Sequence, residues 1–298
     1  MLQIDLNGIF PPITTPFVNG DIAEDKLAAN IEQWSQTGLR GLVVMGSNGE
    51  YVYLSADEKR KLVAKVVELT PEHMLVIAGT GCESTRETIE LTRDCAALGA
   101  HAALVVTPHY YAGRMNEAAL LAYFRAVADQ SPIPILLYNV PKFTHVNMTV
   151  SLVSQLSGHP NIVGIKDSTG NVIQLGEFAN RVPGDFSLLV GTAGALFGGL
   201  ALGCAGGVLA LANVAPRQCV EIQRLVTEGD FEAAKKLQLN MIPVNQAITA
   251  TYGVPGLKAA MDMLGYFGGD PRPPLQPSSE KEKSEIREIL VKAELLGA

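Results

Sequence analysis

Residues 161–168 read Asn-Ile-Val-Gly-Ile-Lys-Asp-Ser, which sets Lys166 inside an otherwise apolar run. Lysine is almost never fully buried unless it is paired or put to use. Burial disfavours an ammonium, and a neutral amine is what attack on a carbonyl carbon requires. A structural ion pair with Asp167, or with another carboxylate, accounts for the same residue. Where this run lies in the fold decides what Lys166 can reach.

Working outward, the run is the sixth of eight. Apolar stretches occupy residues 8–14, 41–46, 75–81, 102–108, 134–141, 162–168, 186–192 and 206–214. Each leads into a longer segment with helical spacing. The first such segment spans residues 21–37 and sets Leu27, Ile31 and Trp34 on one face. Ser55-x-x-Glu58 and Ser84-x-x-Glu87 read as capping boxes that open the next two helices. Further helices are expected from about residues 116, 149, 172, 195 and 216. Continuous apolar strands alternating with helices suit a parallel sheet buried on both faces. Eight such units close into a TIM barrel. A doubly wound open sheet is the structural alternative, but no G-x-G-x-x-G follows the first run, which weakens a dinucleotide-binding version. Beyond Gly229 the β-type runs stop, and helical stretches over 231–250, 255–264 and 278–296 follow. The expected architecture is therefore an α/β (β/α)8 barrel over residues 1–229 with a small C-terminal helical extension over 230–298.

Composition narrows the function classes. Hydrophobic residues make up 47% of the 298, enough for a large core and too many for a disordered chain. The formal charge of −7 comes with no basic stripe, so no nucleic-acid partner is expected. Cys82, Cys95, Cys204 and Cys219 form no C-x-x-C pair, and neither a zinc site nor a disulfide framework is expected. His109 has no second ligand at metal spacing, so no metal is expected. Residues 1–12 show no basic stretch leading into an apolar run, so no secretory signal is expected and a cytoplasmic setting is. Residues 186–216 carry no charge from Phe186 onward until Arg217, yet glycines crowd them and no basic clusters flank them. They read as a buried helix and strand rather than a membrane span.

In a β/α barrel the C-terminal strand ends face the site. That rule selects Gly46-Ser47-Asn48-Gly49-Glu50, Thr107-Pro108-His109-Tyr110-Tyr111, Tyr138-Asn139, Lys166-Asp167-Ser168 and Gly191-Thr192. Tyr138 is expected at the level of Lys166, where a phenol can move protons; a barrel tyrosine hydrogen-bonded to backbone is the plainer alternative. Successive N–H groups at Ser47-Asn48-Gly49 can cradle a carboxylate, or the segment is an ordinary turn. Glu50 reads as a loop hydrogen-bonding residue.

Taken together, these motifs resemble the dihydrodipicolinate synthase and N-acetylneuraminate lyase family of class I aldolases. The resemblance rests on residues 46–50, Thr107-Pro108 with the tyrosines that follow, Tyr138-Asn139-Val140-Pro141 and residues 164–168, in the family's order and over nearly the whole chain. Within it, the loops GSNGE (46–50), GCEST (81–85), YYAGRM (110–115) and GVPGLKAAMDMLGYFGG (253–269) are most similar to the 4-hydroxy-2-oxoglutarate aldolase branch of mitochondrial type. One departure stands out. The synthases usually carry an arginine two residues after the proline of YNVP, where it holds the aldehyde's carboxylate; here that position is Phe143.

The resemblance implies a Schiff base between Lys166 and a 2-oxo acid, with no cofactor. Tyr138 would shuttle protons, Ser47 would relay them, and Ser47 with Asn48 would bind the 1-carboxylate. Ser168, Gly191 and Leu209 would contact substrate. Tyr110 resembles the tyrosine that a neighbouring subunit inserts, which implies a homotetramer built as a dimer of dimers. The first expectation is cleavage of a 4-hydroxy-2-oxo acid, best 4-hydroxy-2-oxoglutarate, to pyruvate and an aldehyde such as glyoxylate. The second is a synthase or another pyruvate-dependent lyase or dehydratase. The third is a barrel that binds an oxo acid without catalysis. The branch likeness also admits a mitochondrial matrix setting.

Overall fold

The structure is a computed structural model that describes residues 4–297. The expectation about a secretory signal rests partly on residues 1–3, which lie outside the described residues. The eight runs form eight parallel strands: β1 (Gly8–Phe10), β2 (Gly41–Val44), β3 (Leu75–Gly79), β4 (Ala102–Val106), β5 (Ile135–Asn139), β6 (Ile162–Asp167), β7 (Ser187–Val190) and β8 (Gly206–Val208). Neighbours in sequence are neighbours in the sheet from β2 to β8, and β8 pairs with β1. The ring closes just past β1, where Pro12 bridges Val43. Val43 N–H donates to the Pro11 carbonyl at 2.9 Å, and Ile13 N–H donates to the Val43 carbonyl at 2.9 Å. Pro11 and Pro12 have no N–H to give, so this last seam runs through the Ile9 and Pro11 carbonyls and the Ile13 N–H and is shorter than the other seven.

The strands alternate with α1 (Glu24–Ser35), α2 (Ala56–Leu69), α3 (Thr85–Ala97), α4 (Glu117–Gln130), α5 (Val150–Leu156), α6 (Val172–Ala179), α7 (Leu196–Ala201) and α8 (Pro216–Glu228). Ser55 and Glu58 form the full reciprocal capping box, and Ser84 accepts from the Glu87 N–H. The extension comprises α9 (Phe231–Gln246), a π-helical turn (Ala247–Thr251), α10 (Gly253–Met263) and α11 (Glu280–Lys292). The uncharged stretch is β7, α7 and β8; among the described residues no helix is long and apolar enough to cross a membrane.

Two details differ from the sequence expectation. The first helix starts at Glu24, not residue 21, because Asn19 and Gly20 take positive φ (53° and 87°) and fold Phe17–Val18 against Asp21–Ile22 as a hairpin. Asn-Gly is the dipeptide that favours such a turn. The eighth strand stops at Val208 instead of running to Val214, because residues Ala210–Asn213 form a 3-10 turn. The Asn213 amide pins that turn by donating to the Ala210 and Pro12 carbonyls.

Two cores result from strand pleating. Phe10, Val43, Ile77, Leu104, Leu136, Leu189 and Val208 fill the barrel interior. The larger core lies between sheet and helices and holds Trp34, Phe124 and Phe178. Alternate residues of each strand go to each core, as a closed parallel barrel requires. Tyr138 belongs to the interior set.

Candidate active site

Register brings the first pair together. Tyr138 on β5 and Lys166 on β6 are direct partners across the strand pair, so both side chains leave the sheet on the same face. Lys166 is 3% exposed, and its Nζ lies 4.0 Å from the centroid of the Tyr138 ring. Asp167 follows Lys166 on the strand and therefore faces the other way. Its carboxylate accepts from Asn139 Nδ2 at 2.8 Å, Gln174 Nε2 at 2.8 Å, the Thr169 N–H at 3.0 Å and the Thr169 hydroxyl. Asp167 is thus occupied by neutral donors on the far side of the sheet. The pleat removes it as an ion-pair partner for Lys166.

The loop after β2 supplies the third group. Met45 has φ 59°, Ser47–Gly49 make a 3-10 turn, and Glu50 has φ 55°. Two non-glycine residues in the left-handed region within six positions mark a loop held by its surroundings. This path sets Ser47 Oγ 3.3 Å from the Tyr138 hydroxyl. Asn48 sits beside it, half-buried.

What holds the loop is the C-terminal extension, a role for it that sequence reasoning did not identify. Glu50 Oε1 lies 2.7 Å from Lys258 Nζ of α10, with both side chains essentially sealed from water. Glu50 Oε2 accepts the Arg272 N–H at 2.8 Å. Lys258 Nζ also donates to the Thr15 carbonyl at 2.9 Å and the Asp270 carbonyl at 3.1 Å. Burial pushes the Lys258 amine below its ordinary pKa, and the Glu50 carboxylate opposes that shift. The Arg272 guanidinium pairs with the Glu58 carboxylate at 2.6 and 3.0 Å and lies over the Phe17 ring. The available signal was the same one that singled out Lys166: a lysine within an apolar run, here GLKAAM.

Tyr51 was also missed. With Met45, Ser47, Leu104, Val106 and Tyr138 it walls a narrow pocket at the barrel mouth. Burial, with Tyr138 adding to it, pushes the Tyr51 phenol up to about 12.

The remaining predicted residues divide. Ser168 and Gly191 meet: Ser168 Oγ donates to the Gly191 carbonyl at 3.3 Å, and the Gly191 N–H donates to the Asp167 carbonyl at 2.7 Å. Leu209 is fully buried at the end of β8, but its side chain packs in the outer core. Within one chain only its backbone faces the ring, through an N–H bond to Phe10. Tyr110 stands apart, 77% exposed and edge-on to Tyr111 with ring centroids 5.0 Å apart. Its loop is fixed by Glu83, which accepts from the His109 and Tyr110 N–H groups at 3.0 and 2.8 Å and pairs with His109 Nδ1 at 2.8 Å. Above the site a cleft of about 520 Å³ runs from Ser47 and Tyr51 past His109 to Lys142, Phe143 and the π-helical turn. The assembly holds a sequestered amine, a phenol against it, a hydroxyl touching the phenol and a turn of N–H groups. That set suits covalent capture of a carbonyl compound that carries a carboxylate.

The comparisons with known proteins agree with this geometry. A model of the dihydrodipicolinate synthetase family matches residues 5–293. A 4-hydroxy-tetrahydrodipicolinate synthase of Methanothrix thermoacetophila is 40% identical over 287 residues, covering 96% of each chain. One from Leptospira biflexa is 36% identical, covering 93% of this chain and 94% of its own. Among solved structures, a prophage protein of the dihydrodipicolinic acid synthase family from E. coli K12, in complex with pyruvate, superposes with a TM-score of 0.92 at 31% identity, covering 97% of this chain and 99% of its own. These names stand with the synthase expectation rather than with the 4-hydroxy-2-oxoglutarate branch. The chain belongs to the dihydrodipicolinate synthetase family, whose members are class I, Schiff-base lysine lyases.

Proposed function

We propose that Lys166 captures pyruvate as a Schiff base and that the resulting enamine makes or breaks a carbon–carbon bond at pyruvate C3. The observation that carries this reading is the Lys166 amine, buried on the face of Tyr138 and separated by the sheet from Asp167. Nζ attacks the C2 ketone and water leaves, giving an iminium. Loss of a C3 proton gives the enamine, which adds to an aldehyde; the reverse sequence cleaves a 4-hydroxy-2-oxo acid. Tyr138 shuttles protons at the nitrogen and at the oxygen atoms, and Ser47 relays them through the 3.3 Å contact. The N–H groups at Ser47 and Asn48 take the 1-carboxylate. Ser168, Gly191 and the Leu209 backbone line the far side.

For the aldehyde, the names of the relatives favour a synthase reaction, and the family resemblance implies aspartate semialdehyde as the partner of pyruvate in it. One observation counts against a synthase and keeps cleavage of 4-hydroxy-2-oxoglutarate as the second reading: Phe143, 54% exposed at the cleft, stands where a synthase is expected to carry an arginine. A guanidinium there would grip a carboxylate in two-pronged fashion, and a phenyl ring cannot. Tyr110 completes the site from a second copy of the chain, in a homotetramer; its exposure beside Tyr111 supports this reading. Residues 230–298 act as an extension that braces the loop at Ser47.

Parallel assays decide the aldehyde. Consumption of aspartate semialdehyde with pyruvate, and no pyruvate release from 4-hydroxy-2-oxoglutarate, establishes the synthase. The opposite pattern establishes the aldolase. Turnover of neither, with no adduct at Lys166, overturns both.

A further inference from the structure

Both candidate aldehydes carry a carboxylate, yet the position expected to hold it is Phe143. We infer that Lys142, the preceding residue, receives the aldehyde's far carboxylate at the mouth of the site. This rests on the Schiff-base reading above.

The charge inventory of the cleft leads to it. The protein is acidic overall, with a formal charge of −7, so an anion needs a local cation. Apart from the phenols of Tyr51, Tyr53 and Tyr252, three titratable side chains line the cleft, Glu50, His109 and Lys142, and only the last two can carry positive charge. Glu50 is committed to Lys258 at 2.7 Å, and His109 is committed to Glu83 at 2.8 Å. Among the described residues Lys142 is held by a backbone acceptor alone, its Nζ donating to the Thr249 carbonyl at 2.9 Å. An ammonium has three donors, so two remain for a ligand. The Phe143 ring lies 5.5 Å from that ammonium and gives it an apolar backing.

Position fits the role. Lys142 and Phe143 belong to the helical turn Pro141–Thr144, one residue beyond Tyr138-Asn139. The anchoring carbonyl belongs to the π-helical turn Ala247–Thr251, whose Thr249, Ala250 and Thr251 line the same cleft. The cleft begins at Ser47, which touches Tyr138, which in turn covers Lys166. A substrate joined to Lys166 at one end and extending outward therefore passes Ser47 and meets Lys142. A lysine is a point charge on a flexible stem, whereas an arginine is a rigid fork. Lys142 thus holds a carboxylate without fixing its plane, which suits aldehydes of more than one length.

The test uses the full chain and its Lys142→Met and Lys142→Arg variants. Aspartate semialdehyde and glyoxylate serve as carboxylate-bearing aldehydes with pyruvate, and acetaldehyde as an uncharged one. Lys142→Met is expected to raise KM for the carboxylate-bearing aldehyde about tenfold or more, leaving KM for pyruvate and for acetaldehyde within about twofold. Lys142→Arg is expected to recover most of the loss. Borohydride trapping of pyruvate is expected to be equal in all three proteins. An unchanged aldehyde KM in Lys142→Met, with trapping intact, overturns the role of Lys142 alone. Equal rises in KM for pyruvate and aldehyde also overturn it, and so does a parent enzyme that accepts acetaldehyde but neither charged aldehyde. Absence of trapping in the unsubstituted protein overturns the Schiff-base reading and this inference with it.

Discussion

Tyr138 and Lys166 are paired residues on adjacent parallel strands, and the amine of one rests 4.0 Å above the ring of the other. Because register sets this contact, neither residue depends on a flexible loop for its place. The phenol is held at its outer end by Ser47. Replacing Tyr138 with Phe keeps the ring that packs on the amine and deletes the proton carrier. The expected result is a fall in kcat of about 10²-fold or more, with the Lys166 adduct still formed, but slowly. Steady-state kinetics with a parallel rate of borohydride trapping checks this; a kcat within a factor of two of the parent contradicts it.

The Glu50–Lys258 pair joins the Ser47 loop to the extension. Removing one partner of a buried pair leaves the other charged and unmatched, a loss of about 3–5 kcal/mol. Lys258→Met alone and Glu50→Gln alone are each expected to destabilise strongly and to raise KM for pyruvate, because the loop at Ser47 loses its anchor. The double variant should recover part of the stability and none of the KM. Denaturant titration with kinetics on all three proteins tests the cycle; strictly additive losses would mean that the two residues do not act together.

Gly191 is fixed by a close approach. A Cβ placed there meets Ser168 Oγ at 2.0 Å and the Asp167 carbonyl at 2.7 Å, both too close to stand. Gly191→Ala must therefore push β7 away from the end of β6, at about 1–3 kcal/mol for an overpacked site. Calorimetry should show a lowered Tm, and turnover should fall further than the stability loss explains, because Ser168 and Lys166 share that strand end. Wild-type Tm and kcat would refute the assigned contact.

Eight strands, their order and the helices between them were legible in the sequence because apolar runs and capping residues are local signals. Lys166, Tyr138 and Ser47 were legible as strand-end residues once the barrel was drawn. Asp167 was the ambiguous neighbour, and only the alternation of side chains across β6 resolved it. Lys258 and Arg272 stayed hidden because their partners, Glu50 and Glu58, lie more than 200 positions away. The hairpin before α1 was hidden for a different reason: Asn19-Gly20 was readable as a turn, but the strands it joins are two residues each. That the Leu209 side chain enters the outer core was not legible, because a matched position in the sequence carries no information about which core a side chain enters.

Acid stability offers a separate check on the extension. The Arg272 guanidinium lowers the Glu58 carboxyl from 4.5 to about 2, aided by the Ser55 cap. A depressed folded value means that the stabilisation is present above pH 4.5 and is lost as pH falls from there toward 2. Glu58→Gln is expected to flatten the stability profile across that window and to leave the profile at pH 6–8 parallel to the parent's. A variant whose acid limb is as steep as the parent's would show that Glu58 and Arg272 do not contribute through this pair.

The most direct measurement is reductive trapping. Incubation with pyruvate and borohydride, followed by peptide mass analysis, should place a single reduced pyruvate adduct on the peptide containing Lys166, and Lys166→Ala should yield neither adduct nor turnover. An adduct on a different lysine, or a Lys166→Ala protein as active as the parent, would contradict the chemistry assigned to this site.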